Sequence, residues 1–462
     1  MQLDPSIFKA YDIRAIYPTQ IDEEKIVPIL QAIYVFFTQK IATDRQLTIA
    51  LGRDMRTSSP SLYEVAKKTL LDCGAAIVDV GLLSTPSFYY AVWNYNYDAG
   101  IQITASHNPK EYNGVKFVIK GENGLMKIGK PTGMDDVMHM AMDGVTVDKK
   151  FTGTFSENKT VLEDEVQDAL GLIDNMELAP FKVVADPANA MGGTYIDALF
   201  KKIPGTLIKM NFELDGTFPV HQPDPLNFDN LKDLQKKVLE EKADFGLAPD
   251  GDGDRLFFID DTGAVVPATI ITGIVSKLLL TENPGAKILF DIRYIFTPIK
   301  IVEENGGSYA ITKVGHAYIT EALEKTGGIF GGESSAHYFY KSNGNAESQL
   351  TTIVYVLKML TDTGKKLSEL VNAFQRSFES GEYNFKVTNA KEIMTAIQEK
   401  YIDGKLDTLD GIAISYPDWR VSIRTSNTEP LLRLNVEAYD KQTMQTKFAE
   451  IKAAIEAVAK TA

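Results

Sequence analysis

Three aspartates at alternate positions, Asp250, Asp252 and Asp254, are separated by Gly251 and Gly253 and followed by Arg255. The glycines let the backbone fold tightly enough for the carboxylates to converge. Hard oxygen ligands of this kind suit Mg²⁺ or Ca²⁺. The plainer reading, an acidic turn between two strands, is weakened because three crowded carboxylates repel one another without a cation. An EF-hand would carry Gly at the sixth and Glu at the twelfth loop position, but counting from Asp250 these are Arg255 and Asp261, so calcium sensing is disfavoured. Arg255 either pairs with the carboxylates or faces a phosphate.

Three further loops hold reactive or recognising side chains. In Thr104-Ala105-Ser106-His107-Asn108-Pro109, Ser106 is either an ordinary turn residue or a nucleophile. Adjacent Ser106 and His107 do not make a triad by themselves, since activation requires a base within reach and a third group to orient it. Lys116 follows ten positions after Ser106. The Gly331 to His337 loop gathers Glu333, Ser335 and His337, which suits recognition of hydroxyls, although its glycines could equally end a strand. In Arg424 to Glu429, an arginine beside hydroxyl and amide side chains is good phosphate chemistry, in a pattern that ordinary hairpins share. Gly124 to Lys130 imitates a P-loop, but Pro131 stands where Ser or Thr must bind the metal, and no apolar strand precedes it.

The elements that must position these loops alternate. Strand patterns at Leu47 to Leu51, Ala76 to Val80 and Gly100 to Thr104 interleave with helical stretches at Ser61 to Cys73 and Ser87 to Tyr95. The rhythm returns from Phe181 to Ala248 and again from Ala286 to Phe330. Each module ends a central strand in one of the polar loops, where open α/β sheets bind ligands. From Leu367 onward the pattern changes to helices flanking two strands, Arg420 to Arg424 and Leu431 to Val436, which predicts a small α+β domain.

Composition limits the function classes. The 462 residues suggest roughly three domains. A net charge of −14 argues against a nucleic-acid surface. The single cysteine, Cys73, excludes an internal disulfide and reads as a buried structural thiol. Met1 to Pro5 lacks the basic start of a secretory signal. The apolar stretch Ile26 to Ile41 is interrupted by Pro28, Gln31, Thr38 and Gln39, so a buried helix of a cytoplasmic protein is expected, not a membrane span.

Taken together, Thr104 to Pro109, Asp250 to Arg255, Gly332 to Ser335 and Arg424 to Pro430 resemble the α-D-phosphohexomutase family in identity, order and spacing. Tyr11 to Arg14, Gly52 to Pro60 and Thr312 to His316 add to the likeness, which spans nearly the whole chain. The resemblance implies a heart-shaped α/β molecule with its loops around a central cleft. Three α/β domains with mixed sheets (1–148, 149–256, 257–366) and a C-terminal α+β domain (367–462) are expected. Ser106 would carry the phosphoryl group and, with Asp250, Asp252 and Asp254, hold Mg²⁺. Glu333 and Ser335 would recognise sugar hydroxyls. Arg424, Ser426, Asn427 and Thr428 would grip the non-reacting phosphate. Arg14, Lys116, Arg255, His316 and His337 match cleft positions, with Tyr11, His107, Lys313 and Arg433 in the same matching segments. Lys116 is a candidate for proton transfer or for a purely electrostatic role.

Ser335 to His337 and Glu429 to Glu437 look most like the bacterial phosphomannomutase branch. The implied reaction interconverts mannose 1-phosphate and mannose 6-phosphate through a hexose 1,6-bisphosphate, which also serves as activator. A phosphoglucomutase or dual-specificity enzyme is the alternative, and an inactive sugar-phosphate-binding protein is a rival of another class. A phosphorylated hexose is the expected partner of a monomer or homodimer, without nucleic acid or membrane. The chain departs from the family at Ala15, at Ala336 and in Asn343 to Gln349, where aromatic residues and Asp-Ser-Gly are expected at the edge of the sugar pocket.

Overall fold

The computed structural model describes residues 3–425 and 431–460. The chain forms two compact units, one of Met1–Val266 with Ser335–Glu369, the other of Pro267–Ser334 with Leu370–Ala462.

The first unit contains two mixed sheets. In the larger, the order is Ile13–Ile16, Tyr112–Lys120, Ala99–Ile103, Thr48–Arg53, Ala76–Leu82 and Thr154–Glu157, with Leu125–Lys127 also on Tyr112–Lys120. The last four of that order run parallel, as the alternating pattern predicts. Tyr112–Lys120 is antiparallel to both of its long neighbours. That strand was not separated in the sequence, and it carries Lys116. Ala99–Ile103 is buried along its whole length, as befits a central strand covered on both faces.

The helices around this sheet begin and end where local chemistry dictates. Helix Ser59–Cys73 stops at Gly74, whose φ of 98° closes the last turn without a Cβ penalty. Helix Thr85–Asn94 starts on Ser84, whose hydroxyl accepts from the Ser87 amide at 3.2 Å, a cap worth about 1 kcal/mol. The predicted helix Ile26–Ile41 forms as written and buries Ile29, Ile33, Phe36 and Phe37 against the sheet core. Cys73 is buried in the same core, and desolvation pushes its thiol up to about 11, so it is structural.

The second sheet of the first unit orders Val265–Val266, Leu256–Asp260, Phe245–Pro249, Phe181–Ala185 and Gly205–Lys209. Phe245–Pro249 is parallel to Phe181–Ala185 and antiparallel to Leu256–Asp260, so the loop 250–255 is the turn of a hairpin at a central strand's C-terminal end. A short hairpin of Tyr338–Tyr340 and Ala346–Glu347, with helix Gln349–Thr363 capped by Ser348, completes this unit.

In the second unit, Lys287–Asp291 lies between parallel neighbours Ser308–Thr312 and Phe330–Gly332. Helices Ala268–Glu282, Phe296–Glu304 and His316–Thr326 accompany them. A largely antiparallel sheet follows, built on Trp419–Thr425 and Leu431–Ala438, with helices Ala390–Lys400 and Lys441–Val458. This is the predicted α+β segment. Among the described residues, no helix is long and apolar enough to cross a membrane.

Candidate functional site

Strand Ala99–Ile103 delivers Ser106 to the C-terminal edge of the larger sheet of the first unit. Ser106 has φ of +52°, a left-handed conformation that costs a non-glycine residue about 1–2 kcal/mol. Neighbouring groups hold it there. The Ser106 amide donates to Thr104 Oγ1 at 3.1 Å. The fully buried Arg56 guanidinium donates to the carbonyls of Ser106 (2.7 Å), Asn108 (2.6 Å), Pro109 (2.8 Å) and Tyr112 (2.9 Å). Asp54 is its counter-ion, and Phe218 covers it at 5.2 Å.

Strand Phe245–Pro249 delivers the three aspartates to the same place. All three are buried, and their carboxylate oxygens lie within 4.8 Å of one another. Both glycines of the loop are required. A Cβ on Gly251 would sit 2.3 Å from the Ser106 carbonyl oxygen, and Gly253 has φ of +77°. Close backbone approach therefore sets the Ser106 hydroxyl 3.1 Å from Asp250 Oδ2, with His107 Nδ1 also at 3.1 Å.

Cations gather around the triad. Lys116 Nζ bonds Asp252 Oδ2 at 2.6 Å and Asp254 Oδ2 at 2.7 Å. Thr85 Oγ1 donates to Asp252 Oδ2 at 2.7 Å. Arg14 donates to Asn108 Oδ1 at 2.5 Å and pairs with Asp12 at 2.9 Å. The Arg255 amide donates to Asp250 Oδ1 at 3.2 Å, and its Nε donates to His337 Nε2 at 3.3 Å. His337 also lies 3.3 Å from Asp254 Oδ1, and Ser335 Oγ is 3.0 Å from its Nδ1.

These contacts divide the protons of the site. Burial, together with the charges of Asp254 and Asp252, pushes Asp250 well up. Burial works against ionisation of Asp254 too, but Lys116, His337 and Arg255 outweigh it and hold that carboxyl well down. Burial disfavours a charged Lys116, yet Asp252 and Asp254 keep its ammonium protonated far above the ordinary range. Desolvation and the neighbouring Arg255 and Arg14 push His107 well down, so its imidazole is neutral at pH 7.

The donor set fits a hard cation. Asp252 Oδ1 is buried and has no hydrogen-bond partner among the described residues, which is costly for a carboxylate unless an ion completes it. An all-oxygen set of carboxylates with a serine oxygen beside it suits Mg²⁺.

Most of the remaining site residues lie in the second unit. Glu333 Oε1 accepts from the Gly315 amide at 2.7 Å, next to His316 at the start of its helix, and Lys313 lies over the Tyr318 ring at 5.6 Å. Arg424 and Arg433, adjacent across the strand pair, both bond Glu382. Ser426, Asn427 and Thr428 lie outside the described residues. Tyr11 is half-buried two residues before the strand that carries Arg14.

Sequence patterns assign no role to Arg56, Thr85 or Glu382. Arg56 had one signal, a charged residue in a polar loop just beyond a strand. The segment Asn343 to Gln349 is buried. Its side chains turn inward: Asn345 donates to the Asn123 carbonyl at 3.0 Å, Glu347 pairs with buried Lys127, and Gln349 donates to the Asp254 carbonyl.

A serine hydroxyl against a buried acidic triad that could hold a metal ion, at the strand ends of two mixed α/β sheets, is the arrangement that metal-assisted group transfer needs. Four consecutive regions match the phosphoglucomutase/phosphomannomutase family: α/β/α domain I (residues 5–128), domain II (164–263), domain III (269–378) and the C-terminal domain (382–454). A phosphomannomutase of Escherichia coli is 36% identical over 456 residues, covering 96% of this chain and 98% of that protein. A Xanthomonas campestris protein named for phosphohexose mutases is 34% identical over 451 residues, covering 96% and 98%. The crystal structure of a phosphoglucomutase/phosphomannomutase family protein from Burkholderia thailandensis superposes with a TM-score of 0.87 at 28% identity, covering 99% of each chain. The chain belongs to the phosphoglucomutase/phosphomannomutase family and is a phosphohexomutase, an intramolecular phosphotransferase.

Proposed function

We propose that this mutase interconverts mannose 1-phosphate and mannose 6-phosphate, with Ser106 as the phosphate carrier. The observation that carries the reading is the Ser106 hydroxyl held 3.1 Å from Asp250 inside the buried triad. In this reading the domains 1–148, 149–256, 257–366 and 367–462 contribute one loop each. The mannose assignment draws on the names of the relatives. The glucose or dual-specificity alternative differs only in the sugar.

Phosphorylated Ser106 gives its phosphoryl group to the free hydroxyl of a hexose monophosphate: the Oγ–P bond breaks, a sugar O–P bond forms, and the sugar hydroxyl's proton passes, through a neighbouring base, to the departing Ser106 Oγ. The resulting hexose 1,6-bisphosphate reorients and returns its other phosphoryl group to Ser106 Oγ. Phosphoryl transfer needs positioning and charge stabilisation more than covalent assistance. Asp250, Asp252 and Asp254, with the serine oxygen, would hold Mg²⁺, which supplies Lewis-acid stabilisation of phosphoryl oxygens. Lys116, bonded to Asp252 and Asp254, would stabilise the transferring group electrostatically or take part in proton transfer. Arg14, tied to Asn108 of the serine loop, and Arg255 with His337 add donors around the same oxygens. Neutral His107 is a further candidate for the proton. Glu333 and Ser335 would read sugar hydroxyls, Arg424, Ser426, Asn427 and Thr428 would grip the distal phosphate, Lys313 and Arg433 would bind substrate, and His316 would be a catalytic residue. Hexose phosphates are charged metabolites, which places the protein in the cytoplasm in this reading.

The test is a parallel assay of wild type and Ser106→Ala on mannose 1-phosphate, glucose 1-phosphate and glucosamine 1-phosphate with a trace of bisphosphate. Mannose 1-phosphate is expected to give the highest kcat/KM. A Ser106→Ala protein with near-normal turnover removes the carrier role, and a strong preference for another sugar removes the mannose assignment.

A further inference from the structure

Three guanidinium groups of the second unit converge on one carboxylate. Glu382 Oε1 takes Arg433 Nη1 at 3.0 Å, and its Oε2 takes Arg424 Nη2 at 3.1 Å with Arg293 Nη1 at 3.7 Å. The chain reaches this point through Gly381, whose φ of +74° turns it between Phe378–Glu379 and Tyr383–Lys386. Arg293 is already neutralised by Asp291, which it meets through Nε and Nη2 at 3.0 and 2.9 Å. Arg424 and Arg433 share Glu382 between them.

Three features separate this arrangement from an ordinary ion pair. The Glu382 side chain is 21% exposed while that of Arg424 is 3% exposed, so an anion arriving from solvent meets the carboxylate before that guanidinium. Arg424 Nε is buried without a partner among the described residues, so Glu382 engages only one tip of the fork, whereas an arginine saturates an oxyanion with two parallel donors. Despite its burial, the Glu382 carboxyl is held low by Arg293, Arg424 and Arg433, so it is an anion at every working pH.

We propose that Glu382 is a resident carboxylate competitor, displaced from Arg293, Arg424 and Arg433 when the substrate's non-reacting phosphate binds, and that it sets how readily that phosphate lets go. The proposal rests on the reading of the Arg424 loop as the distal phosphate clamp. Its chemical purpose follows from the reaction: each phosphate of the bisphosphate must occupy and leave the clamp in turn. Binding energy spent equally on every bound state lowers KM without raising kcat. A clamp that returns to its own carboxylate releases the phosphate without leaving bare guanidinium groups. Glu382 is thus a positioning residue, acting through the arginines.

The experiment titrates inorganic phosphate into the full-length, dephosphorylated protein by calorimetry and sets the result beside turnover. Glu382→Gln keeps the shape and removes the charge, and is expected to bind phosphate about 10-fold tighter, the worth of one charge-assisted contact freed from competition. Glu382→Asp pulls the carboxylate back by one methylene and should tighten binding by about 3-fold, so the titration remains decisive if the glutamine variant does not fold. The gain must vanish in Glu382→Gln combined with Arg424→Ala. In turnover, Glu382→Gln should lower KM and kcat together and leave kcat/KM close to wild type, a split that a merely structural glutamate would not produce. Phosphate binding no tighter than wild type in either variant, or tightening that survives loss of Arg424, overturns the proposal. A wild-type protein without mutase activity would instead count against the functional reading, while the phosphate titration would still judge Glu382.

Discussion

Arg56→Lys should cost about 100-fold in kcat/KM although Arg56 touches no reacting atom. The guanidinium donates to four main-chain carbonyls spread over Ser106 to Tyr112, between 2.6 and 2.9 Å. A lysine keeps the charge against Asp54, but its compact ammonium cannot span a fork of that width and should reach two of the four. Each buried carbonyl left without a donor costs about 1–3 kcal/mol. Two such losses amount to about 2–6 kcal/mol, and release of the left-handed Ser106 returns about 1–2 kcal/mol to the disordered loop. Part of the loss is absorbed by relaxation, so about 3 kcal/mol is expected to act on the competent geometry, which is about 100-fold in population. The assay is kcat/KM under substrate-limiting conditions, paired with hydrogen exchange of the amides between residues 104 and 112. Exchange there should accelerate while the core strand Ala99–Ile103 stays protected. If Arg56→Lys keeps kcat/KM within about threefold of wild type and those amides exchange unchanged, the cradle does not position Ser106.

Other expectations follow from the same geometry. Asp252→Asn halves the charge of the two carboxylates that Lys116 bridges and removes a proposed metal ligand, so activity should fall and the half-saturating Mg²⁺ concentration should rise; wild-type activity that is indifferent to EDTA would refute the metal assignment. Lys116→Met leaves the triad without its ammonium, so added Mg²⁺ should raise the Tm of this variant more than that of wild type, and equal shifts would count against the charge-balance reading. Glu165 is buried with neither carboxylate oxygen bonded among the described residues, and burial pushes it up to about 7. Its folded carboxyl therefore binds a proton more tightly than the unfolded one, so stability is lost as pH rises from about 4.3 to 7. Glu165→Gln should accordingly stabilise the protein by on the order of 3 kcal/mol at pH 8 and by almost nothing near pH 4, and a gain independent of pH in urea denaturation would rule this out.

The loops could be read in the sequence because their chemistry is local. Alternate aspartates with glycine spacers announce convergence within five residues, and a polar loop directly after an apolar strand announces the edge where ligands bind. What the sequence hid is held across long separations. Arg56 lies 50 positions from the carbonyl of Ser106 that it bonds, and Glu382 lies 42 from Arg424. The strand Tyr112–Lys120 carries Asn113, Gly114 and Lys116, three residues that blunt a strand pattern, and only its pairing with Ile13–Ile16 and Ala99–Ile103 makes sense of them. Lys116, a cleft candidate from the sequence, takes its bonds from two aspartates 136 and 138 positions away.

Asn343 to Gln349 shows why polar letters mislead in one direction. A run of Asn, Glu, Ser and Gln reads as exposed, since burying such groups without partners is costly. Here some partners exist, at residues 123, 127 and 254, while Asn343 Oδ1, Asn345 Oδ1 and Gln349 Oε1 are buried without a hydrogen-bond partner among the described residues. The Gln349 amide on the Asp254 carbonyl ties this segment to the backbone of the metal loop. A substitution here would therefore act on the geometry of the triad as well as on the packing around it.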